Sequence, residues 1–452
     1  MMTHLYAPLE RGIFVVLLAL LVWLPMPLGS NRDWSQAFFL LVVGSLAAGW
    51  AALQLVRNRP LGSAFRQALL PLGLLAVTQL WVAVQWLAGW SGDSASTFQY
   101  LVLGLGYCLL YLLVVGLVRT RERLTLLLSV LVVSGASQAF FGTVMTLSGV
   151  EWLLFGPKDF HLSDATGTFV NRNHLAGYLE ITLACGIGLL LALREAGRFR
   201  WSGLLEAVMG PKGRLRLALV VMVVALVMSH SRMGNAAFFA SLLIVGGVFV
   251  LIDKEQRKRN SLILASVILI DMLVVSQFFG LEKLKERVLE TRFSDVLVEG
   301  QVVQQANELR GSVLVQALPL ARERPLTGQG AGSFEAVFAQ YAGDIPLHYD
   351  HAHNDLLQFF IEYGLLGTLP LALFVLLSLF QAFKAMRRRE SLYRSGVGFG
   401  AALGILALMI HSSTDFNLQI PSNAATYVVL CAIAVLANHH RVPRPEPASL
   451  RG

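Results

Sequence analysis

Uninterrupted apolar runs of about 20 residues recur from one end of this 452-residue chain to the other, and that length matches the hydrocarbon thickness a helix must cross in a bilayer. Backbone polar groups facing lipid have no water to pair with, so each run has to satisfy its own hydrogen bonds as a helix. Only 14% of the residues are charged. The pattern predicts an all-α, polytopic transmembrane bundle of about 12 spans, near 12–29, 35–55, 67–89, 98–118, 124–147, 173–193, 217–231, 233–252, 261–280, 354–383, 395–415 and 422–438. The division that follows is spans one to nine over 1–280, a long loop over 281–353, spans ten to twelve over 354–438 and a tail over 439–452. The first span is too long for the apolar core of a signal peptide, and no small-residue cleavage site follows it.

Charge orients the bundle. With both termini on one side, that side receives most of the 36 Lys and Arg residues, concentrated in short loops such as Arg119-Thr-Arg-Glu-Arg and Lys384-Ala-Met-Arg-Arg-Arg. The bias predicts cytoplasmic termini. The net charge of +8 then reads as a topogenic signal with affinity for anionic lipid, not as a nucleic-acid footprint. Cys108, Cys185 and Cys431 all fall inside spans and read as small buried hydrophobes, not as a disulfide framework.

Polar sequence concentrates on the opposite, outer side, in residues 148–172 and 281–353. The second segment is far longer than a connector requires. It opens with apolar residues at helical spacing (Leu281, Leu284, Val288, Leu289), and a second helical run covers 311–322, which suggests helices lying on the membrane surface. Asp271 is the clearest charge placed in mid-span.

Four outer elements are candidates for chemistry. Where a polar loop enters span six, Gly167-Thr-Phe-Val-Asn-Arg-Asn-His leads on to Glu180. Asn171 or Asn173 can cap the helix, whereas Glu180 lies about two turns inside it, where an unpaired carboxylate is costly. His230-Ser-Arg-Met-Gly sets Arg232 at the mouth between spans seven and eight, either as an interfacial anchor or as an anion-binding group. Arg310 precedes the run Gly328-Gln-Gly-Ala-Gly332. No strand precedes those glycines and no Gly-Lys-Ser/Thr follows, so they read as a tight loop and not as a nucleotide cradle.

The fourth element is His348-Tyr-Asp-His-Ala-His-Asn-Asp-Leu-Leu-Gln, which places three of the chain's ten histidines where the long loop meets span ten. Metal binding, a structural role and proton transfer are all open to such a cluster. The spacing matches no familiar zinc set and no cysteine is at hand, whereas histidine exchanges protons near neutral pH, so general acid–base work is favoured.

The phrase Pro325-Leu-Thr-Gly-Gln-Gly-Ala-Gly-Ser-Phe, followed by His353-Asn-Asp-Leu-Leu-Gln-Phe-Phe-Ile-Glu-Tyr-Gly-Leu-Leu-Gly, resembles the signature of the O-antigen ligase and polymerase superfamily. The Gly167–His174 motif and Ser231-Arg232 are similar to further family motifs, in the same order, while Arg172 stands where many members have proline. The resemblance implies a C-type membrane glycosyltransferase fold in the bacterial inner membrane. Its active site would face the periplasm, and its donor would be a glycan on a polyprenyl, usually undecaprenyl, diphosphate. Ligases pass the glycan to lipid A-core, and polymerases pass it to another lipid-linked repeat.

The residues suit that reaction. Attack by a hydroxyl on an anomeric carbon needs a base, for which His353 is the first candidate and His351 the second. It also needs a stabilised diphosphate leaving group, which Arg232 and Arg310 can grip without a metal or other cofactor. Arg172, Asn173, His174, Glu180, Glu362 and Asp415 are supporting candidates. Asp415 lies in the last outer motif, His411-Ser-Ser-Thr-Asp-Phe-Asn-Leu-Gln-Ile-Pro-Ser-Asn. The rival class is a flippase or exporter of lipid-linked glycan, which would put ionisable groups near the midplane.

Overall fold

The computed structural model describes residues 3–57, 62–194, 210–252, 310–341, 349–388 and 390–440, with 257–258, 261, 265, 296–298 and 301–304. Thirteen helices run through the described residues: α1 (Thr3–Trp23), α2 (Asp33–Arg57), α3 (Ser63–Leu87), α4 (Ser94–Leu117), α5 (Arg121–Ser148), α6 (Arg172–Ala192), α7 (Pro211–Met228), α8 (Arg232–Ile252), α9 (Arg310–Glu323), α10 (Phe334–Phe338), α11 (Asp355–Met386), α12 (Leu392–His411) and α13 (Pro421–His439). Among the described residues nine of them are long and apolar enough to cross a membrane. The expected first and seventh spans appear as α1 and α7, the latter opening on Lys212, Arg214 and Arg216. The ninth expected span, Asp271 and the amphipathic stretch from Leu281 to Leu289 lie outside the described residues apart from isolated positions. Within the long loop, Val296–Val298 and Gln301–Gln304 pair as a short antiparallel hairpin that the helical reading did not anticipate.

Helix starts follow local chemistry. Asp93, Thr120, Asn171, Asn354 and Ser391 cap α4, α5, α6, α11 and α12 by accepting backbone N–H groups that have no partner within the helix. Pro211 and Pro421 occupy first turns, where a missing N–H costs nothing.

Packing separates a core from a lipid-facing shell. α6 and α13 are buried over almost their whole length, while α3 and α11 expose large apolar residues such as Leu80, Leu369, Leu376 and Phe380. α6 and α12 approach closely because glycines meet: a methyl group on Gly188 would touch the Gly400 backbone, and one on Gly400 would touch the Ala184 carbonyl. In lipid, where apolar helix faces gain little from meeting one another, such close contact is a main source of association.

The bundle has two unlike ends. One carries Arg119, Arg121, Arg123, Arg388 and Arg394, with Arg123 paired to Glu10 and Arg388 bonded to Asn438. The other gathers the 148–172 segment and residues 310–341 and 349–353 of the long loop. There Ala165 N–H bonds Met228 O, Thr168 Oγ1 bonds Pro25 O, Thr97 Oγ1 bonds Ala331 O and Asp355 N–H bonds Ser412 O.

Candidate functional site

The glycine-rich loop is built onto a deliberate break in α11. Gly364 has φ 60° and ψ −172°, which interrupts the helical ladder. The groups freed there are met by the loop: Leu365 N–H and Leu366 N–H bond the Pro325 and Leu326 carbonyls, and Gln329 and Gly330 N–H return to the Ile361 and Glu362 carbonyls. Gln85 Nε2 bonds the Thr327 and Glu362 carbonyls at 2.6 and 2.9 Å. Non-helical backbone at membrane depth is tolerated when it is satisfied in this way. Gly328 also has positive φ, and a side chain on it or on Gly364 would run into the facing backbone.

Glu362 is buried beside this break. Its Oε2 accepts Gly332 N–H at 3.0 Å, and its Oε1 accepts Gln358 Nε2 at 3.0 Å and, at 3.4 Å, Phe334 N–H. The carboxylate thus ties the loop to α11. α9 joins the same assembly, with Val313, Ala317 and Leu320 clustering with Phe334, Phe338, Ala352 and Ile361. Arg310 begins α9, and its side chain lies outside the described residues, as does His348.

His351 and His353 arrive at the start of α11 around a ring that the sequence reading did not single out. Phe416 stacks on His351 at 4.4 Å between centroids and meets the edges of His353 at 4.9 Å and His174 at 4.7 Å. Three histidines from two distant segments therefore share one aromatic hub. His353 has φ 49°, a left-handed backbone uncommon outside glycine, and such strain gathers at functional sites. Burial pushes His351 below the usual imidazole range, against the opposing pull of Asp350 and the Gln358 hydrogen bond.

Asp415 and Asp355 knit the hub to the bundle. Asp415 Oδ1 accepts Phe416 N–H at 2.8 Å, and its carbonyl accepts Asp355 N–H. The Asp355 carboxylate receives Leu418 N–H at 2.9 Å. His174 is buried on α6 next to Asn173, with its carbonyl bonded by Asn423 Nδ2. Beneath them Glu180 finds a partner in His411, Nδ1 to Oε1 2.7 Å, both fully buried. His411 opens the last outer motif, and its pairing with Glu180 was not expected from the sequence.

Arg232 is exposed at the first position of α8. Packing ties this corner to the buried pair, since a methyl group on Gly234 would touch Ala176 and the His411 ring. Beside it Asp164 gathers His230 Nδ1 at 2.6 Å and Arg172 Nη1 at 2.8 Å. Burial would raise this carboxyl, but the His230 hydrogen bond and the Arg172 charge outweigh that effect and hold it below the usual carboxylate range. The sequence reading set Arg172 among the supporting residues without a partner, and Asp164 went unnoticed. Its only signal was a carboxylate in the loop eight residues before an arginine at a helix start. Among the described residues no three His, Cys, Asp or Glu side chains are grouped to hold a metal ion.

No curated protein matches the chain. Residues 217–372, which run from α7 through the Arg232 corner and the glycine-rich loop to the His351–His353 pair and the break in α11, match the family model of the O-antigen ligases.

Proposed function

We propose that the protein is a bacterial inner-membrane glycosyltransferase with cytoplasmic termini and a periplasmic active site. It would transfer a glycan from a polyprenyl diphosphate, undecaprenyl in most bacteria, to an acceptor hydroxyl on lipid A-core. The observation that carries this reading is the meeting of His351, His353 and His174 on Phe416 at the bundle end that also carries Arg232; His351, His353 and Arg232 fall within the segment that matches the O-antigen ligase family. The polar groups collect at a helix-terminal depth where a lipid-anchored diphosphate must lie, which favours an outer-leaflet reaction over an alternating-access path.

In this reading His353 takes the proton from the acceptor hydroxyl as its oxygen bonds to the anomeric carbon. The carbon–oxygen bond to the diphosphate breaks, and its electrons leave with the phosphate oxygen. Arg232 and Arg310 neutralise that charge through charge-assisted contacts. A single displacement inverts the anomeric carbon, which product anomer analysis tests. The hairpin of α7 and α8 holds Arg232 at the rim, with Asp164 holding Arg172 and His230 alongside. Glu362 keeps the loop against α11, and Glu180 with His411 supports the floor.

A deletion strain tests the choice of acceptor. A ligase leaves finished polymer stranded on its lipid carrier, whereas accumulation of single lipid-linked repeats would assign the protein to the polymerase branch.

A further inference from the structure

Beside Phe416, the neutral tautomer of His351 is dictated by its neighbours. The Gln358 amide touching it has a fixed orientation. Gln358 Oε1 lies 3.0 Å from Ala352 N–H, a group that can only donate. Gln358 Nε2 lies 3.0 Å from Glu362 Oε1, and that carboxylate also collects the Gly332 and Phe334 N–H groups. Turning the amide over would set oxygen against carboxylate and NH₂ against N–H. Nε2 is therefore the atom 3.1 Å from His351 Nδ1, and an amide nitrogen can only donate. Nδ1 holds the lone pair, so the proton of the neutral ring sits on Nε2. Stacking on Phe416 at an interplanar angle of 29° fixes the ring plane. Burial favours the neutral ring, with Asp350, Glu335 and Asp415 as the nearby opposing carboxylates.

Resting on the glycosyl-transfer reading above, we propose that His351 acts as a hydrogen-bond donor through Nε2–H to an oxygen of the bound substrate, with Gln358 and Glu362 as positioning residues that hold this tautomer. The proton of the acceptor hydroxyl is left to His353. The two adjacent histidines thus divide the work: the ring with the committed lone pair donates, and its neighbour accepts. Hydrogen-bond partners of this kind set which imidazole nitrogen carries the proton wherever histidine tautomers matter.

The test has a spectroscopic arm and a kinetic arm. Protein labelled with ¹⁵N-histidine is reconstituted in lipid nanodiscs, and the His351 signals are assigned by their absence in His351→Gln. The expected spectrum has an unprotonated Nδ1 and a protonated Nε2, and Gln358→Glu, whose carboxylate attracts a proton to Nδ1, reverses them. A protonated Nδ1 in the wild type overturns the proposal. In transfer assays His351→Ala lowers kcat about a hundredfold, the scale of losing one donor to developing charge. His351→Gln, which keeps an N–H in the Nε2 position but has no basicity, restores it to within about tenfold of wild type and leaves the acidic limb of the pH profile unmoved. A His351→Gln variant as inactive as His353→Ala overturns the donor role. Absence of transfer in the wild type would count against the glycosyltransferase reading, while the ¹⁵N spectrum still decides the tautomer.

Discussion

Replacing Glu362 with alanine should loosen the glycine-rich loop by a predictable amount. The carboxylate receives two well-formed hydrogen bonds, from Gly332 N–H and Gln358 Nε2 at 3.0 Å each, and a long one from Phe334 N–H at 3.4 Å. All lie around a fully buried side chain, so truncation leaves two donors without partners. Each such loss costs about 1–3 kcal/mol, giving roughly 2–6 kcal/mol for the pair, with the long contact adding little. Glu362→Gln keeps one acceptor oxygen and should lose about half as much. Amide hydrogen exchange over residues 328–334 reads this directly, because local opening free energy sets the exchange rate. Even the lower bound of about 2 kcal/mol corresponds to about 30-fold faster exchange. The expected order of protection is wild type, then Glu362→Gln, then Glu362→Ala. Equal exchange in all three would refute the claim that this carboxylate fastens the loop to α11.

Removing either partner of the buried His411–Glu180 pair should destabilise the bundle by about 3–5 kcal/mol, while His411→Leu combined with Glu180→Leu costs less than either single change; apparent Tm in detergent checks the ordering. Gly328→Ala and Gly364→Ala each place a side chain at positive φ against facing backbone, and the left-handed backbone alone costs about 1–2 kcal/mol, so both should melt lower than a Gly73→Ala control in open space. Asp164 is held below its ordinary value of 3.8 by His230 and Arg172 despite burial, so its contribution is complete above that value and is lost as pH falls through the lowered one. The gap in apparent Tm between wild type and Asp164→Asn should therefore be full at neutral pH and close in strong acid, and a gap that widens on acidification contradicts the assignment.

The membrane-spanning architecture was legible because apolar length is a one-dimensional property. α11 begins at Asp355 and α8 at Arg232, each within a residue of its expected start. The motifs were legible as positions, but their partners were not. Phe416 sits in a motif whose role stayed open, and only folding brings it against His351, His353 and His174. Glu180 was suspected of needing a partner, yet nothing local names His411, 231 residues away. The glycines were read as a tight loop, and the reason for their number lies in the α11 break they seal. Pairings between distant segments depend on how helices pack, and helical periodicity carries no record of them.

The central claim is that this bundle end forms a glycosidic bond with His353 as base and Arg232 on the diphosphate. Purified protein in nanodiscs, given a synthetic polyprenyl-diphosphate glycan and lipid A-core, should yield glycosylated lipid A-core and free polyprenyl diphosphate. His353→Ala and Arg232→Ala, folded to the wild-type apparent Tm, should yield neither. Transfer that persists in His353→Ala, or wild-type protein that moves the lipid-linked glycan across vesicles without making a new bond, would contradict the account.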